Sequence, residues 1–194
     1  MKLLRRRLTI NGIVQGVGFR PFIYALAKDV GLVGSVCNTS DGVKVELQGS
    51  TLQHEQFNKR LHGEAPPLST IISVKSEEIP TAEDSDFIII ASHDKAAVST
   101  LISPDVATCE DCKLELFDST NRRYKYPFIN CTNCGPRYTI IENIPYDRPY
   151  TSMKHFPLCE VCHTEYQDPA DRRFHAQPNA CPECGPEIWL TDQK

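Results

Sequence analysis

The sequence has no unbroken hydrophobic run approaching the ~18 residues that a membrane-spanning helix needs, so a transmembrane segment is not expected. The start, Met1 to Arg7, is basic, but the apolar stretch of a secretory leader does not follow. Thr9, Asn11, Gly12 and Gln15 interrupt it. The expected location is the cytoplasm, where thiols stay reduced and clustered cysteines hold metal more often than they pair. An excess of basic charge is also missing, with 21 Lys and Arg against 25 Asp and Glu and a net charge of −4. No basic recognition helix is apparent either, so neither a nucleic acid nor a membrane is an expected partner. Arg5-Arg6-Arg7 is a local basic patch, read as a solvated strand edge. There is no P-loop, so no nucleotide site can be assigned from motifs. Cysteine is nearly absent from the first half, where only Cys37 occurs, a candidate buried strand residue.

Eight of the nine cysteines lie between 109 and 184. They form four C-x-x-C pairs: Cys109/Cys112, Cys131/Cys134, Cys159/Cys162 and Cys181/Cys184. The stretch repeats with its register kept: Asp118 matches Asp168, Arg122-Arg123 match Arg172-Arg173, Tyr124 matches Phe174, and Gly135-Pro136 match Gly185-Pro186. Two cysteines three apart can aim both sulfurs at one ion from a tight turn, and two such knuckles make a tetrahedral thiolate site. Two zinc ions are therefore expected. They are expected to be structural, because four thiolates leave no open coordination position. A four-iron cluster accepts the same ligands. Cys159-Glu160-Val161-Cys162-His163 matches the c-type haem motif, but Lys113 stands at the matching position of the first module. Spacing leaves open whether each ion is held within a module or between modules, the shorter loop favouring the former. His155, His163 and His175 are read as solvated or hydrogen-bonded. The paired arginines could meet acidic partners, but are read as bracing each knuckle or facing solvent. Tyr124, Tyr126, Phe128, Tyr138 and Tyr146 are read as small module cores.

The first half alternates strands and helices. Strands are expected at 5–14, 32–38, 43–49, 70–78 and 87–90, with helices at 20–30 and 52–62. Asp41-Gly42 marks a hairpin, Pro21 suits a helix start, and Pro66-Pro67 stop the second helix. The order βαββαβ gives an α+β sandwich. The small polar run at 92–99 divides the chain: one domain at 1–91, a linker at 92–104, and modules at 105–140 and 141–194.

Between the first strand and helix lies Gln15-Gly16-Val17-Gly18-Phe19-Arg20, a loop whose backbone N–H groups can converge on an anion, with Arg20 as a planar fork for oxyanions. Gly12-Ile13-Val14-Gln15-Gly16-Val17-Gly18-Phe19-Arg20 resembles the acylphosphatase signature, and Val36-Cys37-Asn38-Thr39-Ser40-Asp41-Gly42 resembles that family's second motif. The resemblance implies a ferredoxin-like fold, phosphate bound at Arg20 and residues 15–20, and water oriented by Asn38. Asn is no base at neutral pH, so catalysis would rest on positioning and electrostatics. Together with Tyr126 to Tyr138 around the second cysteine pair, the chain resembles the carbamoyltransferases that mature nickel-iron hydrogenases. That likeness implies carbamoyl phosphate or another acyl phosphate as substrate, hydrogenase maturation proteins as partners, and a carbamoyl group destined for cyanide ligands. The nucleotide-binding and transfer domains of that family do not appear in this stretch. The alternative is a non-catalytic module, organised by zinc, that docks maturation partners.

Overall fold

The computed structural model describes residues 3–92 and 101–192. Its larger half is a sheet in the order β4-β1-β3-β2-β5, built from β1 (Leu4–Gln15), β2 (Val33–Thr39), β3 (Gly42–Gly49), β4 (Thr70–Glu78) and β5 (Phe87–Ile89). All neighbours are antiparallel except β2 and β5. The helices α1 (Phe19–Val30) and α2 (Thr51–Gly63) supply Phe19, Ile23, Leu26, Ala27, Phe57 and Leu61 to one core with Ile10, Val14, Val36, Val43, Val45 and Leu47 of the sheet. The alternation of β1 explains its placement: Leu8, Ile10 and Val14 point into that core, while Thr9, Asn11 and Ile13 between them are only partly covered. Helix α2 begins at a capping box, in which Ser50 accepts from the Gln53 N–H and Gln53 accepts from the Ser50 N–H. This is the α+β arrangement expected from the element order.

Two features depart from the sequence reading. The basic patch is not a solvated edge: Arg5 is buried, pairing with Glu46 at 2.9 Å and with Asp84 at 2.5 Å. Arg7 pairs with Glu46 and Glu77 across the neighbouring strands. Leu101–Ile102, inside the stretch read as linker, form a short strand β6 parallel to β1 at Ile13 and Gln15. The rest of that expected linker, at 93–100, lies outside the described residues.

The second half has little regular structure: α3 (Glu110–Phe117), α4 (Glu160–Gln167) and short 3₁₀ turns. Helices α3 and α4 each begin directly after the first cysteine of a module. Its core is small and contains its own cysteines: Cys112, Tyr126, Ile129, Cys131, Cys134, Met153 and Ala180. No described helix is long and apolar enough to cross a membrane.

Candidate metal centres and a cradle closed by the fingers

The cysteines settle into two local groups, Cys109/Cys112/Cys131/Cys134 and Cys159/Cys162/Cys181/Cys184, with all ligand atoms of a group within 4.8 Å of one another. Within them, Sγ–Sγ separations are 3.5 Å for Cys109–Cys131, 3.9 Å for Cys131–Cys134, and 3.8 Å for both Cys159–Cys181 and Cys181–Cys184. A tetrahedron with ~2.3 Å Zn–S bonds has edges of ~3.8 Å, so both groups fit a zinc ion held within one module. No histidine belongs to either group; His163 instead lies against Gln167 at 3.2 Å.

The repeated arginines cross between the modules. Arg122, from the first, directs its guanidinium at the sulfurs of Cys159, Cys162 and Cys181 in the second, at 3.3, 3.3 and 3.0 Å. Arg172 returns the contact, donating to Cys112 Sγ at 2.9 Å and pairing with Glu115 at 2.5 Å. Arg123 donates to the Ala180 carbonyl at 2.8 Å and pairs with Glu165 at 2.5 Å. Its counterpart Arg173 donates to the Asn130 carbonyl at 3.2 Å and pairs with Glu115. A zinc ion with four thiolates carries a formal charge of about −2, and a guanidinium aimed at the sulfurs offsets it. The arginines do brace the knuckles, and each module's cluster is braced from the other module. The period of the repeat shows which residues correspond, not which ones touch.

The acylphosphatase-like loop lies under this pair of modules. Gly16 and Gly18 both take positive φ, +72° and +75°, which lets the chain turn sharply from β1 into α1. Gly16 is also a contact point, since a Cβ there would come within 2.6 Å of Pro136 and 3.0 Å of the Tyr146 ring. Val17 and Phe19 send their side chains into the sheet core, so they can contribute only backbone to the loop. Gln15 and Asn38 grip one residue, Tyr146, by its backbone N–H and C=O. Gln15 Oε1 accepts from the Tyr146 N–H at 2.8 Å, and Asn38 Nδ2 donates to the Tyr146 carbonyl at 3.2 Å. A carbonyl can only accept, so that contact fixes the Asn38 amide and leaves its Oδ1 as the other face. That oxygen is buried without a hydrogen-bond partner among the described residues.

Arg20 is buried and pairs with Asp147 at 2.7 Å. The second oxygen of Asp147 accepts from the Ser92 hydroxyl. Arg20, Gly16, Gly18 and Asn38 line one cavity together with Asn130, Thr132, Gly135 and Tyr146 from the first module and its following segment, and His175 and Gln177 from the second. Its free volume is about 20 Å³, room for roughly one water. A larger cavity of about 360 Å³, lined by Ile89, Asp147, Pro149, Tyr150 and Tyr166, shares Arg20, His175 and Gln177 with it. Outside the cavity, Phe174 of the second module packs edge-on against Tyr24 of α1, with ring centroids 5.4 Å apart. The matching Tyr124 has no such neighbour and is 39% exposed. Phe128 and Tyr138 are exposed too, so of the five aromatics read as module cores only Tyr126 and Tyr146 are buried, and Tyr146 is buried against the cradle.

Of the residues expected from the sequence, the structure brings Gly16, Gly18, Arg20 and Asn38 to this cavity, beside Asn130, Tyr146 and Gln177, for which the sequence suggested no such place. His175, expected from the sequence to be solvated or hydrogen-bonded, lines both cavities. Burial, and then the nearby Arg20 charge, push its pKa down to about 4, with Asp147 opposing. A histidine depressed in the folded state stabilises the fold above its unfolded value near 6.5, and that contribution is lost as pH falls toward 4. Replacing it, as in His175→Gln, should flatten the fall of the melting temperature between pH 6.5 and 4, in scans at fixed zinc. Parallel curves for the two proteins would contradict this.

The family described as Acylphosphatase matches residues 6–89, and the one described as HypF finger matches twice, at 108–141 and 158–191. The chain is 36% identical over 84 residues to an acylphosphatase from Ligilactobacillus salivarius, covering 93% of that protein and 43% of this one. The chain belongs to the acylphosphatase family. Its HypF fingers extend the likeness to a larger protein, carbamoyltransferase HypF2 of Cupriavidus necator, 50% identical over 158 residues, which are 80% of this chain and 20% of that one. A crystal structure of full-length HypF in a phosphate- and nucleotide-bound form superposes with a TM-score of 0.89 at 50% identity, over 96% of this chain and 25% of that one. This acylphosphatase with two HypF fingers thus corresponds to the N-terminal part of HypF carbamoyltransferases and spans about a fifth of the length of the curated HypF relative.

Proposed function

We propose that the chain binds and hydrolyses a small acyl phosphate, carbamoyl phosphate foremost, as the part of a hydrogenase-maturing carbamoyltransferase that supplies the carbamoyl group for cyanide ligands. The observation that carries this reading is the meeting of Arg20, the Gly16–Gly18 loop and the unpartnered Asn38 Oδ1 in one buried cavity. Arg20 at the N-terminus of α1 holds the phosphate, helped by the positive end of the helix. Asn38 Oδ1 accepts from the attacking water and aims its oxygen at phosphorus. The bond from phosphorus to the acyl oxygen breaks, the carboxylate leaves with the electron pair, and the water's proton passes to a phosphate oxygen. Arg20 exchanges the Asp147 carboxylate for phosphate as the ligand enters, because the present volume holds only one water-sized group. The zinc ions lock finger residues around the site and take no part in the reaction.

The test is phosphate release from carbamoyl phosphate. Arg20→Ala and Asn38→Ala should each lower the rate by about 10²–10³, the usual cost of removing one preorganised group around the reacting charge. Equal rates for wild type and both variants would sink the reading. The pairing of Arg20 with Asp147 favours one alternative, a docking or sensing module for maturation partners. That alternative predicts phosphate binding with no turnover.

A further inference from the structure

Asn130 stands out among the cavity residues. It is 2% exposed, and both its Nδ2 and its Oδ1 are buried with no hydrogen-bond partner among the described residues. Burying an amide whose polar atoms find no partner is costly, so it needs a reason. The repeat supplies a control. The matching residue of the second finger is Ala180, whose carbonyl takes the crossing Arg123 just as the Asn130 carbonyl takes Arg173. The finger therefore needs only the backbone at this position, and alanine satisfies it. The neighbouring Asn179 shows what a structural asparagine looks like here: its amide donates to the Cys162 carbonyl at 3.0 Å and accepts from Arg123 at 3.1 Å. Asn130 makes no such bonds, and it lines the same cavity as Arg20 and Asn38.

We propose that Asn130 is a specificity-determining residue that recognises the acyl part of the substrate as a primary amide; this rests on the acyl phosphate reading above. A carboxamide offers one acceptor and two donors, and it pairs reciprocally with another carboxamide through N–H···O=C bonds in both directions. A carbamoyl group, –CO–NH₂, presents that edge. An acetyl group presents the same carbonyl but a methyl in place of the NH₂, which leaves the Asn130 acceptor buried and unpaired. Sites that hydrogen-bond a substrate N–H discriminate strongly against analogues lacking it, because the unpaired partner stays behind. The first finger, beyond closing the cradle, chooses between acyl phosphates of nearly equal size. The discriminating amide sits directly before the ligand Cys131, on backbone fixed by the metal cluster and by Arg173.

The experiment compares kcat/KM for carbamoyl phosphate and acetyl phosphate in wild type, Asn130→Ala (the residue of the second finger) and Asn130→Leu, which keeps the volume without the polar atoms. Two bound zinc equivalents in each protein certify the fold, and the leucine variant is read if the alanine one loses metal. Wild type should prefer carbamoyl phosphate, and the preference should shrink by about 10–100-fold in both variants. An unchanged ratio, or a wild type that takes both substrates equally, overturns the proposal while leaving acyl phosphate hydrolysis intact. If wild type releases phosphate from neither, the hydrolysis reading fails, and calorimetry with phosphonoacetamide against methylphosphonate decides the amide reading. Tighter wild-type binding of the amide, lost in Asn130→Ala, supports it; equal binding refutes it.

Discussion

Stripping the metal should unfold the finger half of the chain and leave the acylphosphatase sheet standing. The two halves hold themselves together by different means. The sheet and its helices enclose sixteen buried apolar side chains in one cluster. The finger core has seven buried members, of which Cys112, Cys131 and Cys134 are themselves ligands. Without an ion, those thiols contribute little that a small apolar residue would not. Structural zinc sites in finger peptides contribute an apparent ~10–16 kcal/mol at neutral pH, as much as the whole stability of an ordinary domain. A chelator titrated to below a tenth of an equivalent of residual zinc should therefore abolish amide protection over residues 110–186 while residues 4–49 keep theirs. Phosphate release should survive, since Arg20 and Asn38 stay on the sheet, while any choice between acyl groups made by Asn130 is lost with the fingers. Finger amides that stay protected in metal-free protein would show that the half folds on burial alone.

The second large effect should appear in the wrong finger. Arg123→Met removes a buried guanidinium from the first module, yet its partners Glu165, Asn179 and the Ala180 carbonyl all belong to the second. Breaking a buried pair costs about 3–5 kcal/mol, because the remaining charge is left uncompensated. Burial raises the Glu165 pKa, but the Arg123 hydrogen bond and charge more than offset that and hold it low. With the arginine gone, the carboxylate must protonate or draw in water beside Cys162. Cadmium-substituted protein, with one resonance per four-cysteine site, would report the damage. In Arg123→Met the site of Cys159, Cys162, Cys181 and Cys184 should broaden or empty first. In Arg173→Met the site of Cys109, Cys112, Cys131 and Cys134 should do so. Loss from the variant's own module in either case would refute the crossed arrangement.

How much of this could be read from the sequence depends on the range of each interaction. The strand alternation of β1, the Asp41-Gly42 hairpin and the C-x-x-C pairs are local patterns, and the structure places them where those patterns indicate. The crossed arginines are not local. Arg122 and its sulfur partner Cys181 are 59 positions apart, and nothing in a repeat distinguishes a contact inside one copy from the same contact exchanged between copies. The roof of the cradle is more distant still, with 131 positions between Gln15 and Tyr146. Asp147 lies between the modules, outside either copy of the repeat, and nothing in its neighbours marks it as an anion-site residue. Asn130 did leave a trace, since it breaks the correspondence with Ala180, and a repeat position where one copy turns polar is a place to look.

The grip on the Tyr146 backbone carries a consequence for synthesis. A ribosome completes the sheet, with Gln15, Arg20 and Asn38 already in position, well before Tyr146 and Asp147 are made and before either finger can close on its metal. Domains emerging N-terminal first fold as they appear. The nascent chain should therefore pass through a stage in which a bare acylphosphatase, its arginine facing solvent and its selectivity not yet installed, hangs outside the exit tunnel. Zinc supply then sets how long the cradle stays open.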